Sequence, residues 1–144
     1  MMRTAQQLLG SNGHRVWSLR PNASAYEAVK AMENHRVGAL PVMHRGRLVG
    51  IVSEGDHTRK VVLKGKSSRR TPVSAIMTRD VVSVSADHAV EDCLRLMTDR
   101  RVKHLPVVDG QRLLGVISLD DVGRATLSEQ EFVIDQMRNY ISGW

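Results

Sequence analysis

Two β-α-β-β-α repeats of the α/β (α+β) class, packed face to face with pseudo-twofold symmetry, are the fold this sequence predicts. Three observations lead there. The chain repeats itself at a fixed offset of 65 residues. Within each copy, apolar spacing changes from helical to strand-like. Each strand pair closes on a tight turn, Asp109-Gly110 being a strong hairpin signal.

The offset is set by Gly38-Ala-Leu-Pro-Val42 against Lys103-His-Leu-Pro-Val107. With that register held, Val16 meets Val81, Met32 meets Met97, Gly50 meets Gly115, Ser53 meets Ser118, Asp56 meets Asp121 and Arg59 meets Arg124, without a gap. Self-similarity over such a span marks a duplicated structural unit.

Each copy opens on a short extended stretch, Val16–Leu19 or Val81–Val84. Ser24 is placed to cap the helix that follows in the first copy, and Asp87 in the second. Ala25, Ala28, Val29 and Met32 share one helical face, as do Val90, Cys93, Leu94 and Met97. Two strands come next, Ala39–Met43 with Leu48–Val52, and Leu105–Val108 with Leu113–Ile117. A second helix starts after Ser53 and after Ser118, where Ser-x-x-Asp has the spacing of a capping box. One such unit cannot bury its sheet alone, so two should pack together. The expected organisation is residues 1–64 as repeat 1, 65–73 as linker, 74–126 as repeat 2 and 127–144 as a C-terminal helix, the two repeats forming one module.

The chain has 144 residues, 42% apolar and 25% charged, enough for one real core. Aromatics are 3%, so the core is aliphatic and offers few stacking platforms for single-stranded nucleic acid. No run reaches membrane-spanning length. Residues 1–10 lack a signal-peptide layout, and the lone Cys93 sits at an apolar helical position, so a cytoplasmic location and no membrane contact are expected. The net charge is +6, densest from Arg59 to Arg70. That stretch supports an alternative, a basic nucleic-acid-binding protein, although a solvated helix end and linker explains it as well. The six histidines lack partners at metal-ligand spacing, and no phosphate-loop or nucleophile motif is present. Neither a metal nor catalysis is expected.

Val-Gly-Ala-Leu-Pro-Val with Gly-Ile-Val-Ser-Glu-Gly-Asp, and Val-Lys-His-Leu-Pro-Val with Gly-Val-Ile-Ser-Leu-Asp-Asp, resemble the two halves of a cystathionine-β-synthase-like (CBS) domain pair. Ala-Ile-Met-Thr-Arg-Asp-Val-Val, ahead of the second copy, is similar to that family too. The likeness runs from about Val16 to about Arg124 and is strongest to stand-alone bacterial CBS-pair proteins of the signal-transduction type. It implies a non-enzymatic, energy-sensing module with no catalytic cofactor. Its ligand would be an adenine nucleotide, AMP and/or NAD(H) or else ATP, held between the repeats. A homodimer and an unidentified downstream protein are the implied partners. A ligand-free interaction scaffold is the remaining alternative.

The resemblance also implies two sites. In one, Ser53 and Asp56 take the ribose, with Thr78, Val81, Val82, Val102, Lys103 and His104 from the other copy around the base and phosphate. In the other, Ser118 and Asp121 act with Val16, Val37, Gly38 and Ala39. Arg59 and Arg124, one turn beyond each Asp, are either surface residues or phosphate contacts. Physical chemistry agrees with the carboxylate's role. An acid at a helix start can accept hydrogen bonds from vicinal ribose hydroxyls, while the helix N-terminus favours the anion. Lys103-His104 against Gly38-Ala39 makes the sites inequivalent, and the Gly-Ala gap offers room for a larger ligand such as a dinucleotide. Gly55 replaces a residue that is charged in relatives, so no phosphate contact is assigned there.

Overall fold

A computed structural model describes residues 3–10 and 16–142. The elements in chain order are α1 (Ala5–Gly10), α2 (Ala25–His35), β1 (Ala39–His44), β2 (Arg47–Ser53), α3 (Glu54–His57), β3 (Val84–Ser85), α4 (Val90–Arg100), β4 (His104–Asp109), β5 (Arg112–Ser118) and α5 (Leu119–Ser142). A π-helical turn, Thr58–Val62, continues α3, and a 3₁₀ turn, Val73–Ala75, follows the linker.

The hairpins form in the expected places. β1 pairs antiparallel with β2, and β4 with β5. Arg45 and Gly46 both take positive φ, 51° and 77°, as a two-residue turn that follows strand twist requires. In the second hairpin positive φ falls on Gly110 alone. Both hairpins change register at equivalent points, Val42/Met43 and Val107/Val108. The extra residue kinks each strand pair at its middle.

The extended stretches before each helix are shorter than the sequence suggests. Val16–Leu19 forms no strand, and Leu19 makes a single parallel bridge to Val42. The expected Val81–Val84 strand is reduced to Val84–Ser85, parallel to Val107–Val108. The preceding residues leave the sheet and wall the space between the repeats instead. Ser24 caps α2 by accepting from the Glu27 N–H at 3.0 Å. Asp87 does not cap α4. The N-cap is Ala89, without a side-chain bond, while Asp87 accepts from the Ser85 hydroxyl. The first N–H of α4, on Val90, donates to the Arg3 carbonyl at 2.9 Å, so a distant backbone acceptor replaces the side-chain cap.

Two aliphatic cores result, and they cross the repeats. The first gathers Ala28, Met32, Leu40, Val42 and Val52 with Val73 at the end of the linker and Ile76 and Met77 beyond it. The second gathers Val90, Cys93, Met97, Leu105, Val107 and Ile117 with Ala5 and Leu8 from α1. The two imported segments do equivalent work. A Cβ on Gly50 would lie 2.5 Å from Met77 Sδ, and one on Gly115 would lie 2.7 Å from Leu9 Cδ2. Glycine at both positions lets the segment lie directly on the sheet. Residues 65–73 are also tied down: Thr71 and Ser68 carbonyls accept from the first N–H groups of α2, and Arg69 stacks over the Tyr26 ring at 4.0 Å. β2 contacts β5, bringing the two sheets together. Beyond Ala125, α5 leaves the core, exposing Leu127, Ile134, Met137 and Ile141.

Candidate functional site: two clefts between the repeats

Each cleft is built where a β-strand ends and a helix begins. Ser53 closes β2 in extended geometry and caps α3. Its hydroxyl accepts from the Asp56 N–H at 3.2 Å, and Asp56 Oδ2 accepts in return from the Ser53 N–H at 2.9 Å. The same reciprocal pair joins Ser118 and Asp121, at 3.1 and 2.9 Å. This capping box fixes each carboxylate against the helix start and turns it towards the opposite repeat.

The larger cleft, about 660 Å³, is lined by Ser118, Asp121 and Arg124 on one side and by Val16, Val37, Gly38 and Ala39 on the other. The smaller, about 420 Å³, brings Ser53, Asp56 and Arg59 together with Thr78, Val81, Val82, Val102, Lys103 and His104. Every residue singled out from the sequence thus borders the cleft it was assigned to, Arg59 and Arg124 included. His104 also borders the larger cleft, and Gly38 and Ala39 border both.

The space over Gly38 is not free. His104 Nε2 sits 3.2 Å from where a Cβ on Gly38 would stand, so the gap holds an imidazole. Extra room in the larger cleft lies instead towards Trp17 and His35, whose rings stack at 3.6 Å and 12°. The sequence reading missed this pair. Trp17 follows Val16 inside a stretch taken for strand, and no spacing rule connects it to His35.

The acids are held differently. Asp56 is almost fully buried, its side chain 7% exposed, while that of Asp121 is 19% exposed. Lys60 Nζ lies 3.1 Å from Asp56 Oδ1 and donates to the Ile76 carbonyl at 2.8 Å. Arg59 Nη2 is further off, 3.6 Å from the same oxygen, and its guanidinium lies across Gly55. Asp121 Oδ1 accepts from Arg124, whose side chain is largely exposed, at 2.8 Å. Two members of the basic stretch, Arg59 and Lys60, are therefore folded onto Asp56, and a third, Arg69, onto Tyr26. Arg36 and Arg101 end their helices, both with φ 54°, and each also borders a cleft. His104 is pushed below its ordinary pKa by burial, with Asp121, Glu54 and Asp120 pulling the other way.

Comparison with known proteins decides the family. The CBS domain model matches residues 13–56 and 73–128. The chain belongs to the CBS domain family. This CBS pair is 36% identical over 138 residues to the mitochondrial CBS domain-containing protein CBSX3 of Arabidopsis thaliana, covering 92% of the chain and 66% of that protein. It is 37% identical, with a TM-score of 0.84, to a candidate signal-transduction protein with CBS domains from Burkholderia ambifaria MC40-6, covering 89% of the chain and 96% of that one. The CBS pair of protein MJ0100, solved with 5′-methylthioadenosine and S-adenosyl-L-methionine, is similar in fold alone, at 24% identity and a TM-score of 0.76, covering 90% of this chain and 99% of that one. No helix among the described residues of this chain is long and apolar enough to cross a membrane.

Proposed function

We propose that this CBS pair is a non-enzymatic sensor that binds an adenine nucleotide between its repeats, with AMP as the simplest ligand. One observation carries the reading: a capping box places a carboxylate in each cleft, opposite residues of the other repeat, Val16, Val37, Gly38 and Ala39 in the larger cleft and Val81, Val82 and Val102 in the smaller. A carboxylate suits the ribose diol, and a narrow aliphatic slot suits a base read by backbone groups. The fold can house such a ligand, as the MJ0100 pair holds adenosine compounds.

The larger cleft is the one we assign to AMP or to NAD(H). Its extension to the Trp17–His35 stack offers a surface for a second ring. Arg59, Arg101 and Lys103 in the smaller cleft suit a longer phosphate chain such as that of ATP. Binding would bridge the repeats and bias their relative angle, by as much as the ligand's affinity differs between the two arrangements. The exposed apolar residues of α5 support a homodimer, or a downstream protein, on that helix.

Native mass spectrometry of freshly purified protein, followed by melting curves with AMP, ADP, ATP and NADH, tests the reading. A retained nucleotide, or a melting temperature that rises with ligand concentration, is the expected result. No retained mass and no shift with any of the four would end it.

A further inference from the structure

The two clefts share a partition. Gly38, Ala39 and His104 border both, and among the described residues His104 is the one of these with a polar side chain. The repeat explains its place. His104 is the counterpart of Ala39, and the two residues open β4 and β1. The first copy brings only Gly and Ala to the partition. The imidazole of the second fills the space over Gly38, with Nε2 3.2 Å from where a Cβ would stand.

The arginines and Lys103 belong to one cleft each: Arg36 and Arg124 border the larger, Arg59, Arg101 and Lys103 the smaller. Charges act on His104 from both sides. Burial disfavours the imidazolium most and Lys103 adds to that, while Asp121 and Asp120 at the start of α5 and Glu54 at the start of α3 oppose it. Burial prevails, so the ring is mostly neutral at pH 7. No hydrogen bond from the described residues holds either ring nitrogen. A neutral imidazole has one N–H to donate and an imidazolium has two.

We infer that His104 is an anion contact common to both clefts and that it couples them, each bound nucleotide strengthening the hold on the other. The inference rests on the nucleotide reading above and adds a regulation to it. A phosphate in either cleft favours the charged ring. The first to bind draws a proton from solvent onto His104, and the second meets a ring already charged, with its other N–H to give. Two ligands that favour the same state of one group assist each other. The effect is confined to a pH window. At low pH the ring is charged before any ligand arrives, and at high pH neither ligand can charge it. If each phosphate favours the charged ring about tenfold, the mutual gain is about threefold at the pH where half of the singly occupied protein is charged, and it fades on either side.

The test follows the His104 ring by proton NMR across pH, its resonance assigned by its loss in His104→Gln. Asp56→Ala keeps the larger cleft and Asp121→Ala the smaller, and each is measured without AMP and at saturating AMP. AMP should raise the ring's pKa by about 1 in both variants, the tenfold preference above. In the unsubstituted chain, calorimetry near pH 7 should show the two AMP molecules assisting each other about threefold more than in His104→Gln, a difference that disappears at pH 5. If His104→Gln does not fold, isotope labelling assigns the resonance and the two aspartate variants decide. A ring pKa that moves in one variant alone, or in neither, overturns the sharing and leaves the nucleotide reading standing. No binding of AMP to the unsubstituted chain overturns both.

Discussion

Replacing Asp121 with Ala should remove the ligand from the larger cleft while leaving the fold in place. The two open acceptor positions on this carboxylate are what a ribose diol would use, and each hydrogen bond to a charged acceptor is worth about 1.5–3 kcal/mol. Losing both costs at least about 3 kcal/mol, which is more than a hundredfold in affinity. The structural cost is smaller. The Ser118 N–H loses its acceptor, but Val122, next along α5, stays fully buried and Arg124 is released to solvent. That amounts to about 1 kcal/mol. The assay is calorimetric titration of wild type and variant with AMP at one salt concentration, beside a melting curve without ligand. The expected outcome is loss of AMP binding at the larger cleft with a melting temperature lower by a few degrees. A variant that melts like the wild type and still binds AMP within threefold would refute the role given to the carboxylate.

Further outcomes follow from other contacts. Gly50→Ala drives a Cβ into Met77 and the Thr78 backbone, so it should destabilise by about 1–3 kcal/mol in urea unfolding. Gly115→Ala meets only the flexible Leu9 side chain and should cost less than half of that. His104 has a lowered pKa in the fold, so the unfolded chain binds more protons as pH drops below the ordinary value of 6.5. Its contribution is present above that value and lost as pH falls towards the folded pKa; His104→Asn should flatten this part of the stability profile. Trp17→Ala removes one face of the stack bordering the larger cleft and should weaken NADH binding several-fold more than AMP binding, measured by calorimetry.

The duplicated frame was open to reading because each signal was local. Pro41 and Pro106 anchor the register, Ser53 and Ser118 announce helix starts, and Gly110 marks a turn. The cleft walls came from the resemblance to CBS pairs, which implies that the residues opposite one acid belong to the other copy. What stayed hidden depended on contacts between distant segments. The cap on α4 comes from the Arg3 backbone, so the local choice of Asp87 fails. The exchange of α1 and the Val73–Met77 segment between cores shows in sequence only as Gly50 and Gly115, small residues whose neighbours cannot be named in advance. Lys60 reads as one more charge in a basic run, and only its distances to Asp56 and Ile76 distinguish it. The room inferred from Gly38 was taken by His104, a side chain from the opposite repeat.

A crystal structure of the full chain grown with AMP bears most directly on the nucleotide reading. It should show the ribose hydroxyls within hydrogen-bond distance of the Asp121 carboxylate, the Arg124 guanidinium turned away, and adenine against residues 37–39. Clear density for AMP on the surface of residues 59–70, with the Asp121 cleft holding only water, would contradict it.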